Sequence, residues 1–263
     1  MRKPFQYSVF TKPWKLALTD LAEHVKRLGF NGVELPVRDG YQVEPGFVDK
    51  GLANAAKVFS DLGLSIFSIA GPIDERTIAA CAEAEIPVIR VCVGIDGNRY
   101  LAEESRRRKE FDALLPLLQK YGVKLGIQNH CGKSVASAMQ LWSLVHKYDP
   151  KHIGVVWDPA HNALNGEEPE HAIDIVLPHL CMVNLKNAFW KQRTGPEAPY
   201  AQWQEYWTTG RHGLASWPRV ATELKRRNWS GVLCLSAEYS DKDAVDRLVP
   251  EDLSFAKYLF DSV

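Results

Sequence analysis

Four stretches of the chain end in residue types able to move protons or hold a cation. They are Gly126-Ile127-Gln128-Asn129-His130, Val156-Trp157-Asp158-Pro159-Ala160-His161, Val183-Asn184-Leu185-Lys186-Asn187 and Leu235-Ser236-Ala237-Glu238, and Glu34 closes a fifth, Gly32-Val33-Glu34. Each polar end follows a β-rich run. Side chains two apart on a strand share a face, so Gln128 points with His130 and Asn184 with Lys186. If Gln128, Asp158, Asn184 and Glu238 converge, two carboxylates and two amide oxygens offer a hard-oxygen site for Mg2+, Mn2+ or Ca2+, with little negative charge to hold the ion. The same groups also fit a hydrogen-bonded polar plug, or a site that binds hydroxyls directly. His130 and His161 suit general acid/base work near neutrality, and Lys186 can steady an enediolate or phosphate oxygen. Lys186 can equally pair with Glu238 or Asp158, and Glu34 can serve as a loop-fixing acceptor.

Positioning these ends requires a repeated strand and helix unit. Eight β-rich runs alternate with amphipathic stretches: 6–10, 32–35, 64–69, 88–93, 124–129, 153–157, 180–186 and 231–238. Six steps of similar size, then an enlarged last step, predict a (β/α)8 TIM barrel of the α/β class, a single domain over 1–263. A doubly wound sheet is disfavoured because no Gly-x-Gly-x-x-Gly turn follows the first run. Thr19 and Asp20 are placed to cap the first helix, and Gly29, Gly63 and Gly122 to end helices in left-handed geometry.

The enlarged step, about 187–216, carries Phe189, Trp190, Tyr200, Trp203, Tyr206 and Trp207, then Gly210-Arg211-His212-Gly213. Aromatic faces stack on sugar C–H faces, so one reading is a lid over a carbohydrate; others are a local hydrophobic cap and a homo-oligomer contact. Arg211 can bind an anionic group or stay solvated. Arg90, inside an apolar run, needs a partner or a ligand if buried. The histidines outside the polar ends (His24, His146, His152, His171 and His179) read as structural or surface residues.

Composition narrows the classes. The 263 residues are 46% hydrophobic and 24% charged, and 32 basic residues balance 32 acidic ones. A net charge of zero supplies no field for a nucleic-acid backbone or an anionic membrane. No apolar run reaches the roughly 18 residues of a membrane span, and the start lacks the apolar core of a signal peptide. Five cysteines with no C-x-x-C pair fit reduced thiols, and the expected location is cytoplasmic.

The segments GFNGVEL at 29–35, KLGIQNH at 124–130, VVWDPAH at 155–161, VNLKN at 183–187 and SGVLCLSAEYS at 230–240 resemble the sugar phosphate isomerase/epimerase family, the xylose isomerase-like TIM barrels. The resemblance implies a small-molecule carbohydrate substrate and a divalent metal, Mg2+ or Mn2+, that polarises sugar oxygens while a carboxylate moves the proton. It marks Asp158 as the metal aspartate, His161 as the substrate-contacting histidine and Glu238 as the last metal carboxylate. Gln128 stands where the family usually has Glu, Asn184 where it has His, and Asn187 where it has Asp. An amide neither takes nor gives a proton at neutral pH, so two-base epimerisation through Gln128 and Glu238 is not expected. The expected function is a sugar isomerase or epimerase acting on a sugar, keto sugar or sugar phosphate. The alternatives are a keto-sugar lyase or hydratase and a non-catalytic carbohydrate- or partner-binding barrel. A DNA-repair endonuclease shares the expected fold but needs a zinc-ligand cluster and a basic surface, and the sequence offers neither.

Overall fold

The computed structural model describes residues 4–97 and 99–262; residues 1–3, 98 and 263 of the expected domain lie outside the described set. In chain order the elements are β1 (Gln6–Phe10), α1 (Leu18–Leu28), β2 (Gly32–Pro36), α2 (Val48–Asp61), β3 (Ser65–Ala70), α3 (Glu75–Glu83), β4 (Val88–Cys92), α4 (Tyr100–Tyr121), β5 (Lys124–Gln128), α5 (Ala138–Val145), β6 (Ile153–Trp157), α6 (Pro159–Leu164), α7 (Pro169–Val176), β7 (Leu180–Leu185), β8 (Asn187–Gln192), β9 (Trp203–Thr208), α8 (Trp217–Arg226), β10 (Val232–Leu235) and α9 (Val245–Asp261). Strands β1 to β7 and β10 form a closed parallel barrel, with β10 between β7 and β1. The fold is the expected (β/α)8 barrel.

The helices bury their apolar stripes against the outside of the barrel. Leu21, Ala22 and Val25 of α1 and Val220, Ala221 and Leu224 of α8 are all buried. Gly29 and Gly122 end α1 and α4 with φ near +85° and +68°, the region only glycine enters without a Cβ clash. The first cap differs from expectation. Ala17 is the N-cap of α1 and donates no side-chain acceptor, while Asp20 lies in the first turn, where its charge meets the positive helix end.

Inside the barrel the filling is partly ionic. Ser68 on β3 reaches across to Met182 on β7, the diametrically opposite strand, which identifies this face as the interior. On the same face Arg90 of β4 holds both oxygens of Glu34 on β2, through Nε at 3.0 Å and Nη2 at 2.8 Å. Ser68 Oγ donates to the same carboxylate. Arg90 also lies over the Phe10 ring, 4.8 Å from its centroid. The buried arginine foreseen from the sequence thus has its partner, and Glu34, fully buried in this pair, is not among the residues lining the cavity at the barrel mouth.

The expected aromatic loop is a β-hairpin. Strands β8 and β9 pair antiparallel from Asn187 opposite Thr208 to Gln192 opposite Trp203. Pairing satisfies the backbone groups that a long irregular loop would leave to water, and alternate residues then face the barrel mouth.

Candidate active site

The carboxyl ends of the strands enclose a cavity of about 360 Å3 whose walls include Gln128, His130, His161, Asn184, Lys186 and Glu238. Asp158 lies beneath it, fully buried. The structure therefore brings together all the residues expected at the site except Glu34, which is withdrawn into the ion pair below.

Two imidazoles form one wall. Asp158 is the N-cap of α6, and its Oδ1 accepts the backbone N–H groups of Ala160 and His161. This cap turns His161 back over the end of β6. His161 Nδ1 accepts the backbone N–H of Cys131 at 3.1 Å. A neutral ring that accepts at Nδ1 carries its proton on Nε2, and that N–H is buried with no partner among the described residues, 3.7 Å from Asp158 Oδ2. His130 is wired the other way. Its Nδ1 lies 2.9 Å from the carbonyl oxygen of the same residue, Cys131. A carbonyl only accepts, so the proton sits on Nδ1 and the lone pair of Nε2 is free. The rings lie 4.2 Å apart. Burial lowers the pKa of both, and the Lys186 charge adds to the effect, so both are neutral near pH 7.

A cationic centre faces them. Lys186 Nζ lies 2.7 Å from Glu238 Oε2 and 3.7 Å from the ring centre of Trp207 on β9. Lys12, two residues past β1, takes the other oxygen of Glu238. Burial works against the charge of Glu238, yet Lys186 and Lys12 hold its carboxyl down at about 2. Ala237, at φ +51°, sets the direction from which Glu238 enters, a conformation uncommon for a residue with a Cβ. Burial raises Asp158 to about 6 against the pull of Lys186 and two backbone amides.

The fit to a divalent ion follows from what each oxygen already does. Glu238 carries an ammonium on each oxygen, and Asp158 accepts two backbone amides on one oxygen and Gln128 Nε2 at 3.0 Å on the other. Asn184 Oδ1 alone is buried with no partner among the described residues. A divalent ion bound here would have to displace two ammonium groups, so the four residues as arranged do not fit it. Among the described residues one other group, His130, Cys131 and His161, has ligand atoms within 4.8 Å of one another. There His161 Nδ1 is already engaged by a backbone amide.

Asn187 explains its own departure from the family's aspartate. Its Nδ2 donates to the carbonyls of Gly210 and Ala215, and its Oδ1 accepts from the amides of Ala188 and Ala215. A carboxylate cannot donate, so Asn187→Asp is expected to cost about 2–4 kcal/mol, leaving two carbonyls facing a buried charge. Urea unfolding of the variant checks this; an unchanged midpoint would refute it. The bracket holds the hairpin to the barrel, and Trp190 Nε1 donates to Leu164 O as a second tie. Arg211 stacks on Phe255 instead of facing the cavity.

Sequence reasoning missed Lys12, the main chain of Cys131 and the individual place of Trp207. Lys12 was within reach of the period-two rule, since it follows Phe10 by two residues on the inward face. The role of Cys131 leaves no side-chain signal.

Comparison with known proteins agrees with this architecture. No curated protein matches the sequence. Among solved structures, a xylose isomerase domain protein from Planctomyces limnophilus is similar with TM-score 0.75 and 15% identity, covering 99% of this chain and 100% of its own. D-psicose 3-epimerase from Clostridium cellulolyticum H10, solved with D-tagatose, gives 0.74 and 12%, over 97% and 99%. 3-Keto-D-glucoside 4-epimerase from E. coli, in apo form, gives 0.72 and 11%, over 97% and 99%. At such identities the likeness concerns the fold. The sequence profile of one family matches residues 22–259, nearly the whole barrel, and the chain belongs to the xylose isomerase-like TIM barrel family.

Proposed function

We propose that the protein is an enzyme that isomerises a sugar or keto sugar by moving a proton between adjacent carbons, with His130 as the base. The observation that carries this reading is the opposite wiring of the two imidazoles by Cys131, one bare nitrogen beside one fixed N–H donor. His130 Nε2 removes the proton from the carbon next to the carbonyl. The enediolate oxygen that forms meets His161 Nε2–H and the Lys186 ammonium, so charge develops where donors already point. His130 then returns the proton to the neighbouring carbon on the same face. His161, backed by Asp158, passes the hydroxyl proton to the former carbonyl oxygen.

One base serves one face of the substrate. Inverting a single carbon needs a proton from the opposite face, where Gln128 is an amide and Glu238 stays ionised under two ammonium groups. This favours aldose–ketose isomerisation over two-base epimerisation. The similar epimerases support sugars as the substrate class. A second reading, a Mg2+ or Mn2+ enzyme, is favoured by the partnerless Asn184 Oδ1. It requires Lys186 and Lys12 to leave Glu238.

The test is deuterium wash-in from D2O over a panel of aldoses and keto sugars, with protein freed of metal by chelation. The expected result is exchange at the carbon next to the carbonyl together with the isomer, within about twofold of the untreated rate. The rate should be flat from neutral pH upward and fall on acidification, because the His130 pKa lies below the ordinary histidine value and the protonated ring is no base. Exchange that appears only with Mg2+ or Mn2+ supports the second reading. Loss of water from the substrate supports a lyase, and no exchange under any condition refutes both isomerase readings.

A further inference from the structure

The two sides of the cavity differ in charge. His130, His161, Asn184 and one cation, Lys186, occupy the side reached from β5, β6 and β7, whereas three cations, Lys12, Arg38 and Arg90, lie after β1, after β2 and within β4. Lys12 is tied to Glu238 and Arg90 to Glu34. Counting Lys186 as well, four cations meet three carboxylates, Glu34, Asp158 and Glu238. The cation without a carboxylate is Arg38, which pairs with none among the described residues and lines the cavity with its guanidinium over the Phe10 ring.

Arg38 is also held. Its backbone N–H donates to Val43 O at 3.0 Å, its carbonyl accepts from Tyr41 N–H, and Val37 bridges Val43, so the residue sits in a closed turn directly after β2. Strand β2 lies diametrically across the barrel from β6, which leads into α6 and His161. A substrate reaching the imidazoles can therefore place its far end at Arg38. A guanidinium there, exposed at the edge of the cavity, offers a planar pair of donors matched to a carboxylate or phosphate.

We infer that the substrate carries an anionic group, a carboxylate or a phosphate, held by Arg38 at the β1–β2 side while its reacting carbons lie under His130. This rests on the isomerase reading for the reacting end only. The experiment is calorimetric titration of wild type and Arg38→Gln with a hexuronate, a hexose 6-phosphate and the parent neutral hexose, repeated at raised salt. An anionic form is expected to bind wild type at least about tenfold tighter than the neutral sugar, and Arg38→Gln should remove that gap without weakening the neutral sugar. The larger gap, with hexuronate or with phosphate, identifies the group. Equal affinities, a gap that survives in Arg38→Gln, or no binding of either anionic form would overturn the assignment. A gap without deuterium exchange would leave the anion site standing and remove the isomerase reading; exchange on neutral sugars alone, unchanged by Arg38→Gln, would do the reverse.

Discussion

His130→Gln is expected to lower the rate of deuterium wash-in by about 10^2 to 10^4-fold, the contribution of a positioned general base, while the substrate still binds. Glutamine keeps a side-chain donor for the Cys131 carbonyl but has no basic nitrogen to offer. The loss should fall on kcat, with KM changed little, since the missing interaction is made while the proton is in flight. The acid limb of the pH profile should vanish with it. A variant that retains a tenth of the activity, or keeps the same acid limb, would show that another group is the base.

The second large effect concerns stability. Arg90→Met leaves Glu34, at 0% exposure, with no cation, and breaking such a pair from one side costs about 3–5 kcal/mol. Adding Glu34→Gln should return part of that loss, because the orphaned charge is then gone. The comparison of single and double variants by urea unfolding isolates the pair. A double variant less stable than Arg90→Met alone would mean that Glu34 contributes through Ser68 and the strand rather than through its charge.

Much of the barrel was legible because its units repeat. Alternation places inward residues two apart, so Gln128, Asn184, Lys186 and Glu238 could be put at one mouth before any coordinates were known. What stayed hidden depends on contacts between elements distant in the chain. The partner of Arg90 lies on β2, two strands away, and nothing local to either residue announces it. From the sequence the hairpin reads as a loop, because the ten residues joining β8 and β9 carry no tight-turn pair such as Asn-Gly, the usual sign of such a hairpin. The start of α1 departs from expectation because Thr19 and Asp20, although capping types, lie within its first turn, with Ala17 at the N-cap. Of the four residues expected to hold a cation, Glu238 has its carboxylate shared by Lys12 and Lys186, an arrangement set by residues far apart in the chain.

Both imidazoles hang on the main chain of one residue, through the amide N–H and the carbonyl of Cys131, while its thiol points away toward Glu205 of the hairpin. Mutational scanning would pass over this position. Alanine or serine there keeps the main chain and would score as silent, although the residue decides which nitrogen of each ring carries hydrogen. Only a change of the backbone itself, such as an ester in place of the residue-131 amide made by chemical ligation, would expose it. Small side chains are thus interchangeable at this buried site while the chain path is fixed, so tolerance to such substitutions would be a poor guide to importance.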